Sequence, residues 1–103
     1  MRTVSGGVHV GCNMENVSFT VGVCAERAAL AQAIVAEGPG MRVAALEVVA
    51  VDQQGNLVPC TPCGACRQAI LELGPQAMSR FRTADGRVVQ RTSAQLLPDA
   101  FKF

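Results

Sequence analysis

The 103-residue sequence predicts an α/β fold in a single domain, residues 1–103. Three observations carry this. Half the residues are hydrophobic and 17% are charged, a balance that builds a core. Two Ala- and Leu-containing segments with helical character each end at a glycine. Val-rich runs separate and flank them, giving the order strand, helix, strand, helix, strand.

Ser5-Gly6-Gly7 reads as a turn, with Val8-His9-Val10 a short strand after it. Residues 24–37 are rich in Ala, carry Leu30, Ile34 and Val35, and run into Gly38-Pro39-Gly40; they predict a helix with a glycine stop. Arg42 to Val51 is dominated by Val, Ala and Leu and predicts one strand buried on both faces. Asp52-Gln53-Gln54-Gly55-Asn56 is a turn. Pro62-Cys63-Gly64-Ala65-Cys66 opens a second helix, with Ile70, Leu71 and Leu73 on its apolar side and Gly74-Pro75 ending it. Met78 to Thr83 and Arg87 to Arg91 predict strands around the turn Ala84-Asp85-Gly86, and Ser93 caps a last helical turn through Leu97.

Nine basic against eight acidic residues leave a formal charge of +1, which is no footprint for a polyanion. The four aromatic residues are all Phe, too few rings to stack a strand of bases. A nucleic-acid partner is therefore not expected, and a small molecule is. No apolar run approaches the roughly 20 residues of a membrane span, and the start lacks the apolar stretch of a secretion signal. A cytoplasmic location with reduced thiols is expected, where five cysteines point to metal or catalysis before disulfides.

Cys63 and Cys66 lie three apart at a helix start, so their sulfurs can converge on one point. Partial positive charge at the helix N-terminus favours thiolate there, and Pro62 sits where a missing N–H costs little. C-x-x-C alone is also compatible with a redox pair or a structural zinc clamp, although no aromatic residue stands nearby as in many redox motifs. Cys24 opens the other long helix. If the two N-termini are adjacent, three thiolates meet and leave one tetrahedral position of a Zn²⁺ open, as catalytic zinc requires. Cys24-Ala25-Glu26 then sets a carboxylate beside that position, able to take a proton from water that the metal has acidified to a pKa of about 7. The pattern matches the zinc deaminase arrangement of a Cys ligand, a nearby Glu and P-C-x-x-C. Three thiolates on Zn²⁺ sum to a charge of −1, so a cation close by would strengthen the metal as a Lewis acid. Arg27 and Arg67, each directly after a site residue, are candidates to bond the sulfurs; a solvated helix face is the plainer alternative.

The chain resembles the small zinc-dependent cytidine deaminases of nucleoside salvage. Gly11-Cys12-Asn13-Met14-Glu15-Asn16, Cys24-Ala25-Glu26-Arg27, Pro62-Cys63-Gly64-Ala65-Cys66-Arg67-Gln68 and Leu96-Leu97-Pro98-Asp99-Ala100-Phe101 follow the family's order across nearly the whole chain. The resemblance implies a three-layer α/β fold, a mixed β-sheet with helices on its faces. It implies one Zn²⁺ per chain on Cys24, Cys63 and Cys66, and Glu26 as the proton shuttle. It assigns Asn13, Glu15 and Ala25 to the substrate, the first two holding a ribose hydroxyl. Phe101 matches a ring that stacks on the pyrimidine from a neighbouring subunit, and Phe19 a residue near a neighbour's sugar. A homotetramer with shared active sites follows from the three-cysteine type. The implied reaction is hydrolytic deamination of cytidine or deoxycytidine to the uracil nucleoside and ammonia.

Other readings stand beside these. Asn13 can simply turn the chain, Glu15 can be surface, and Phe101 can be core. His9, the only histidine, belongs on an exposed or packed strand face away from the metal. Cys12 and Cys60 are extra thiols, and Cys60 is the rival ligand. The family begins with a helix and a strand ahead of the segment that opens this sequence, and that strand lies inside the family's sheet. An interior strand leaves unpaired N–H and C=O groups when it is lost, so the remaining strands close the gap, another chain fills it, or the chain is shortened. A deaminase of another aminopyrimidine nucleoside, such as a blasticidin-type antibiotic, is the rival activity. A zinc-binding, inactive assembly partner is the rival from outside catalysis.

Overall fold

The computed structural model describes residues 1–102. Its elements are β1 (Arg2–Thr3), α1 (Ala25–Glu37), β2 (Val43–Glu47), β3 (Ala50–Val51), β4 (Leu57–Val58), α2 (Gly64–Leu73), β5 (Met78–Arg82), β6 (Val88–Thr92) and α3 (Ser93–Leu96). One sheet has the order β1-β2-β5-β6 and is mixed: β2 and β5 run parallel, while the pairs β1–β2 and β5–β6 are antiparallel. The parallel pair requires a long crossover, and α2 lies within it.

Ala-rich composition favours α1, and Ala29, Leu30 and Ala33 form its buried stripe. Gly38 ends it at φ 88°, with its N–H on the Ile34 carbonyl at 2.8 Å. Leu30 and Ala33 pack with Val43 and Leu46 of β2, Cys66 and Ile70 of α2, and Ala77. Cys66 and Ile70 are fully buried. The residue that supplies a sulfur to the site is thus also a core residue.

Three local expectations are corrected. Arg42 to Val51 is not one strand buried on both faces. β2 stops at Glu47, and Ala50–Val51 pairs instead with Leu57–Val58 in a separate ribbon. Asp52 folds the chain back by accepting the N–H groups of Gln54 and Asn56, both at 2.9 Å, which leaves Val49 and Val51 exposed. Val8-His9-Val10 contributes only an isolated bridge between Val8 and Arg2, because its partner β1 is two residues long. Ser93 does not cap α3. Thr92 does, in a reciprocal box with Gln95, while the Ser93 hydroxyl is buried and donates to the Gly74 carbonyl at 2.6 Å.

β1 lies between Val8 and β2. Met1, His9–Gly11, Glu26 and Leu46–Val49 line a hollow of about 180 Å³. His9 itself is packed: its Nε2 lies 2.6 Å from Glu37 Oε2, and Thr3 and Ser5 donate to the same carboxylate. Among the described residues no helix is long and apolar enough to cross a membrane.

Candidate metal centre

Cys24 and Cys63 are the N-cap residues of α1 and α2, both in extended backbone conformation. An N-cap side chain normally closes a regular hydrogen bond on its own helix; neither sulfur does so, although the Cys66 N–H is directed toward that of Cys63. The sulfurs turn instead toward each other, 3.8 Å apart. Cys66 stands on the first turn of α2, and the three sulfurs all lie within 4.8 Å of one another. Bonds of about 2.3 Å to a tetrahedral zinc place two sulfurs roughly 3.8 Å apart, so the donor set fits that ion in type, number and spacing. Cys60 is not in this cluster, although it lines the wall beside it.

The surroundings divide the three thiols. Cys63 is held below the usual thiol range, chiefly by the N–H of Cys66 directed at its sulfur. A hydrogen bond from Cys66 lowers the Cys24 thiol, but burial and Cys63 outweigh it and the net shift is upward. Burial pushes Cys66 far up, with further upward contributions from Cys63 and Glu26. A buried thiol of that kind is stable as a thiolate only against a cation, which is the electrostatic case for a metal here.

Glu26 lies in the first turn of α1 and faces a hollow of about 640 Å³ at the cluster. That volume suits a small ligand. Asn13, Glu15, Phe19, Ala25 and Arg27 line the same hollow. Two backbone bonds between Met14 and Val23, at 2.8 and 3.0 Å, fold residues 13–24 so that Asn13 and Glu15 return to the start of α1. Asn13 Nδ2 donates to Glu15 Oε1 at 2.8 Å, holding an amide and a carboxylate together at the rim. Phe19 is 93% exposed. Phe101 is 72% exposed and is not among the residues lining this hollow.

Arg27 is exposed, and among the described residues no hydrogen bond joins Arg27 or Arg67 to a cysteine sulfur. Arg67 donates elsewhere, to the carbonyls of Pro62 and Leu96. Val48 and Val49 give the hollow an apolar wall, and their only signal in the sequence is membership of the Val-rich run. Thr61, just ahead of Pro62, lines it as well and carries no motif signal.

A model of the cytidine and deoxycytidylate deaminase zinc-binding region matches residues 3–81. The cytidine deaminase of Sporosarcina psychrophila is 38% identical over 97 residues, covering 93% of this chain and 67% of that protein. The cytidine deaminase of Mycobacterium tuberculosis H37Rv is 40% identical over 96 residues, covering 93% and 65%. The chain thus spans about two thirds of the length of these curated relatives. The crystal structure of cytidine deaminase from Burkholderia pseudomallei superposes with a TM-score of 0.76 at 39% identity, over 97% of this chain and 76% of that one. That from Mycobacterium leprae gives 0.70 at 33%, over 95% and 74%. With the zinc-binding region matched and the fold shared, this chain belongs to the cytidine deaminase family.

Proposed function

We propose that the chain hydrolyses cytidine or deoxycytidine to the corresponding uracil nucleoside and ammonia. The observation that carries this reading is the convergence of three cysteine sulfurs next to a hollow of nucleoside size, which Cys24, Cys63 and Glu26 line. Cys24, Cys63 and Cys66 would hold one zinc. When bound there, zinc supplies a Lewis acid that lowers the pKa of water at its open position to about 7.

The chain's own residues divide the remaining work. Glu26 takes a proton from the attacking water and gives it to the ring nitrogen next to the reacting carbon. It then takes the remaining proton from the newly added hydroxyl, which becomes the carbonyl oxygen, and passes it to the departing amine. A carbon–oxygen bond forms, the exocyclic carbon–nitrogen bond breaks, and ammonia leaves. The Asn13–Glu15 pair offers an amide donor and a carboxylate acceptor to the sugar hydroxyls. Ala25 lines the hollow between Cys24 and Glu26 and would contact the base. In an assembly of four copies, Phe101 and Phe19 of neighbours would close the pocket. The reaction would serve pyrimidine salvage in the cytoplasm. Arg27, within reach of the hollow, would offset the negative charge of three thiolates.

Ultraviolet absorbance on cytidine, with and without a chelator, tests the reading. Glu26→Gln is expected to keep zinc and fold while turnover falls at least about 10²-fold, the low end for a positioned acid–base group. Substantial activity in that variant would sink the proton-transfer role. A zinc-loaded native chain inactive on cytidine, but active on a blasticidin-type compound, would instead move the substrate.

A further inference from the structure

We propose that Arg67 is a positioning residue that ties Cys63 to the end of α3. One guanidinium makes two directed bonds: Nε donates to the Pro62 carbonyl at 2.8 Å, and Nη1 to the Leu96 carbonyl at 2.9 Å. The first acceptor belongs to the peptide immediately before Cys63, outside α2, on a fully buried proline. The backbone N–H of Arg67 donates to the carbonyl of Cys63 itself at 2.9 Å. Arg67 thereby fastens the peptide groups on both sides of Cys63. The second acceptor ends α3, a four-residue helix whose last carbonyls have no partner within the helix.

Geometry makes arginine necessary here. The two acceptors are reached from different edges of one planar group. A lysine ammonium is a single point on a flexible stem and cannot span both. Metal ligation tolerates errors of only about 0.2 Å in ligand distance, so freedom in the peptides around Cys63 translates directly into weaker binding. The consequence is a link between distant elements. The helix turn that launches Leu97 to Phe101 also sets the position of a sulfur in the cluster.

The inference rests on reading the three cysteines as a zinc site. If the native chain binds no zinc, that reading fails, and the coupling test is read only after native binding is established. Zinc affinity is measured by competition with a chromophoric chelator, and thermal melting of the metal-free chain is measured alongside. Arg67→Lys is expected to weaken zinc about 10- to 100-fold, the range for residues that orient metal ligands, without a matching fall in melting temperature. Gln95→Ala opens the exposed capping box of α3, outside the cysteine cluster. It is expected to weaken zinc severalfold in the native background and to add nothing in the Arg67→Lys background. Zinc affinity unchanged in Arg67→Lys overturns the proposal. So does a loss of zinc that only tracks melting of the metal-free fold. An effect of Gln95→Ala that is absent, or equal in both backgrounds, overturns the link to α3.

Discussion

Gly11→Ala is a small change with a large expected cost. A Cβ at Gly11 would stand 2.4 Å from the Ala29 nitrogen, 2.6 Å from the Ala25 carbonyl oxygen and 3.0 Å from the Ala28 carbonyl carbon. All three belong to the backbone of α1 near its N-terminus, so no flexible side chain can yield. Ordinary contact begins at 3.4 Å, and the segment must therefore withdraw by roughly 1 Å, an overpacking strain of about 1–3 kcal/mol. For a chain of this size each kcal/mol lowers Tm by about 4–8 °C. Asn13 follows two residues later and Glu15 four, so the withdrawal carries them away from Glu26. Misplacement of a positioning group by about 1 Å can cost up to about 10²-fold in rate. We expect a raised KM for cytidine and lower kcat/KM with zinc content unchanged, because Cys24 stays anchored as the N-cap of α1. Steady-state kinetics, zinc content and thermal melting on one preparation test this. A Tm within about 2 °C of native, together with an unaltered KM, would refute the claim that α1 backbone contact sets this segment.

Cys66→Ser should cut zinc affinity by roughly 10²-fold or more, since one of few ligands carries a large share of a site worth about 10–16 kcal/mol in zinc-finger peptides. Chelator competition reads the change, and near-native affinity would remove Cys66 from the ligand set. Glu37 provides a pH test independent of zinc. Its carboxyl is held below the ordinary 4.5, first by the Ser5 hydroxyl and then by His9. A lowered folded pKa gives stability that is present above the unfolded value and lost as pH falls through the folded one. Melting of the metal-free native chain should thus weaken below about pH 4.5 more steeply than melting of Glu37→Gln. Parallel curves would remove Glu37 as the cause.

Legibility in the sequence followed the range of the physical signal. α1 and α2 were readable because composition, glycine stops and proline position all act within a few residues. The Val-rich run conceals a break, because uniform hydrophobicity does not record where a strand stops. The turn at Asp52–Asn56 is readable from its residues, but the end of β2 at Glu47 and the pairing of Ala50–Val51 with Leu57–Val58 apart from it are not. The α3 cap was misassigned by one residue for a similar reason. Thr92 and Ser93 are equally able to cap, and only the Gly74 carbonyl, distant in sequence, recruits the second hydroxyl into the core.

The metal cluster was legible for a different reason. Its chemistry demands thiols at helix starts, and helix starts are local events. What could not be read is how the charge of the cluster is managed. Arg67 follows Cys66 in sequence, and adjacency suggested a bond to sulfur. Consecutive helix residues point about 100° apart, however, so a residue directly after an inward ligand faces elsewhere. Its guanidinium instead meets the carbonyls of Pro62 and Leu96, which brings cationic charge near the loop without touching sulfur. Arg27 bears the same relation to Glu26 and is exposed. Cys66 meanwhile sits fully buried with its thiol pushed up, in contact with the same core that packs Ile70 and Leu30. One residue thus serves both the core and the sulfur cluster, so a change at Cys66 alters the packing around α2 as well as the donor set.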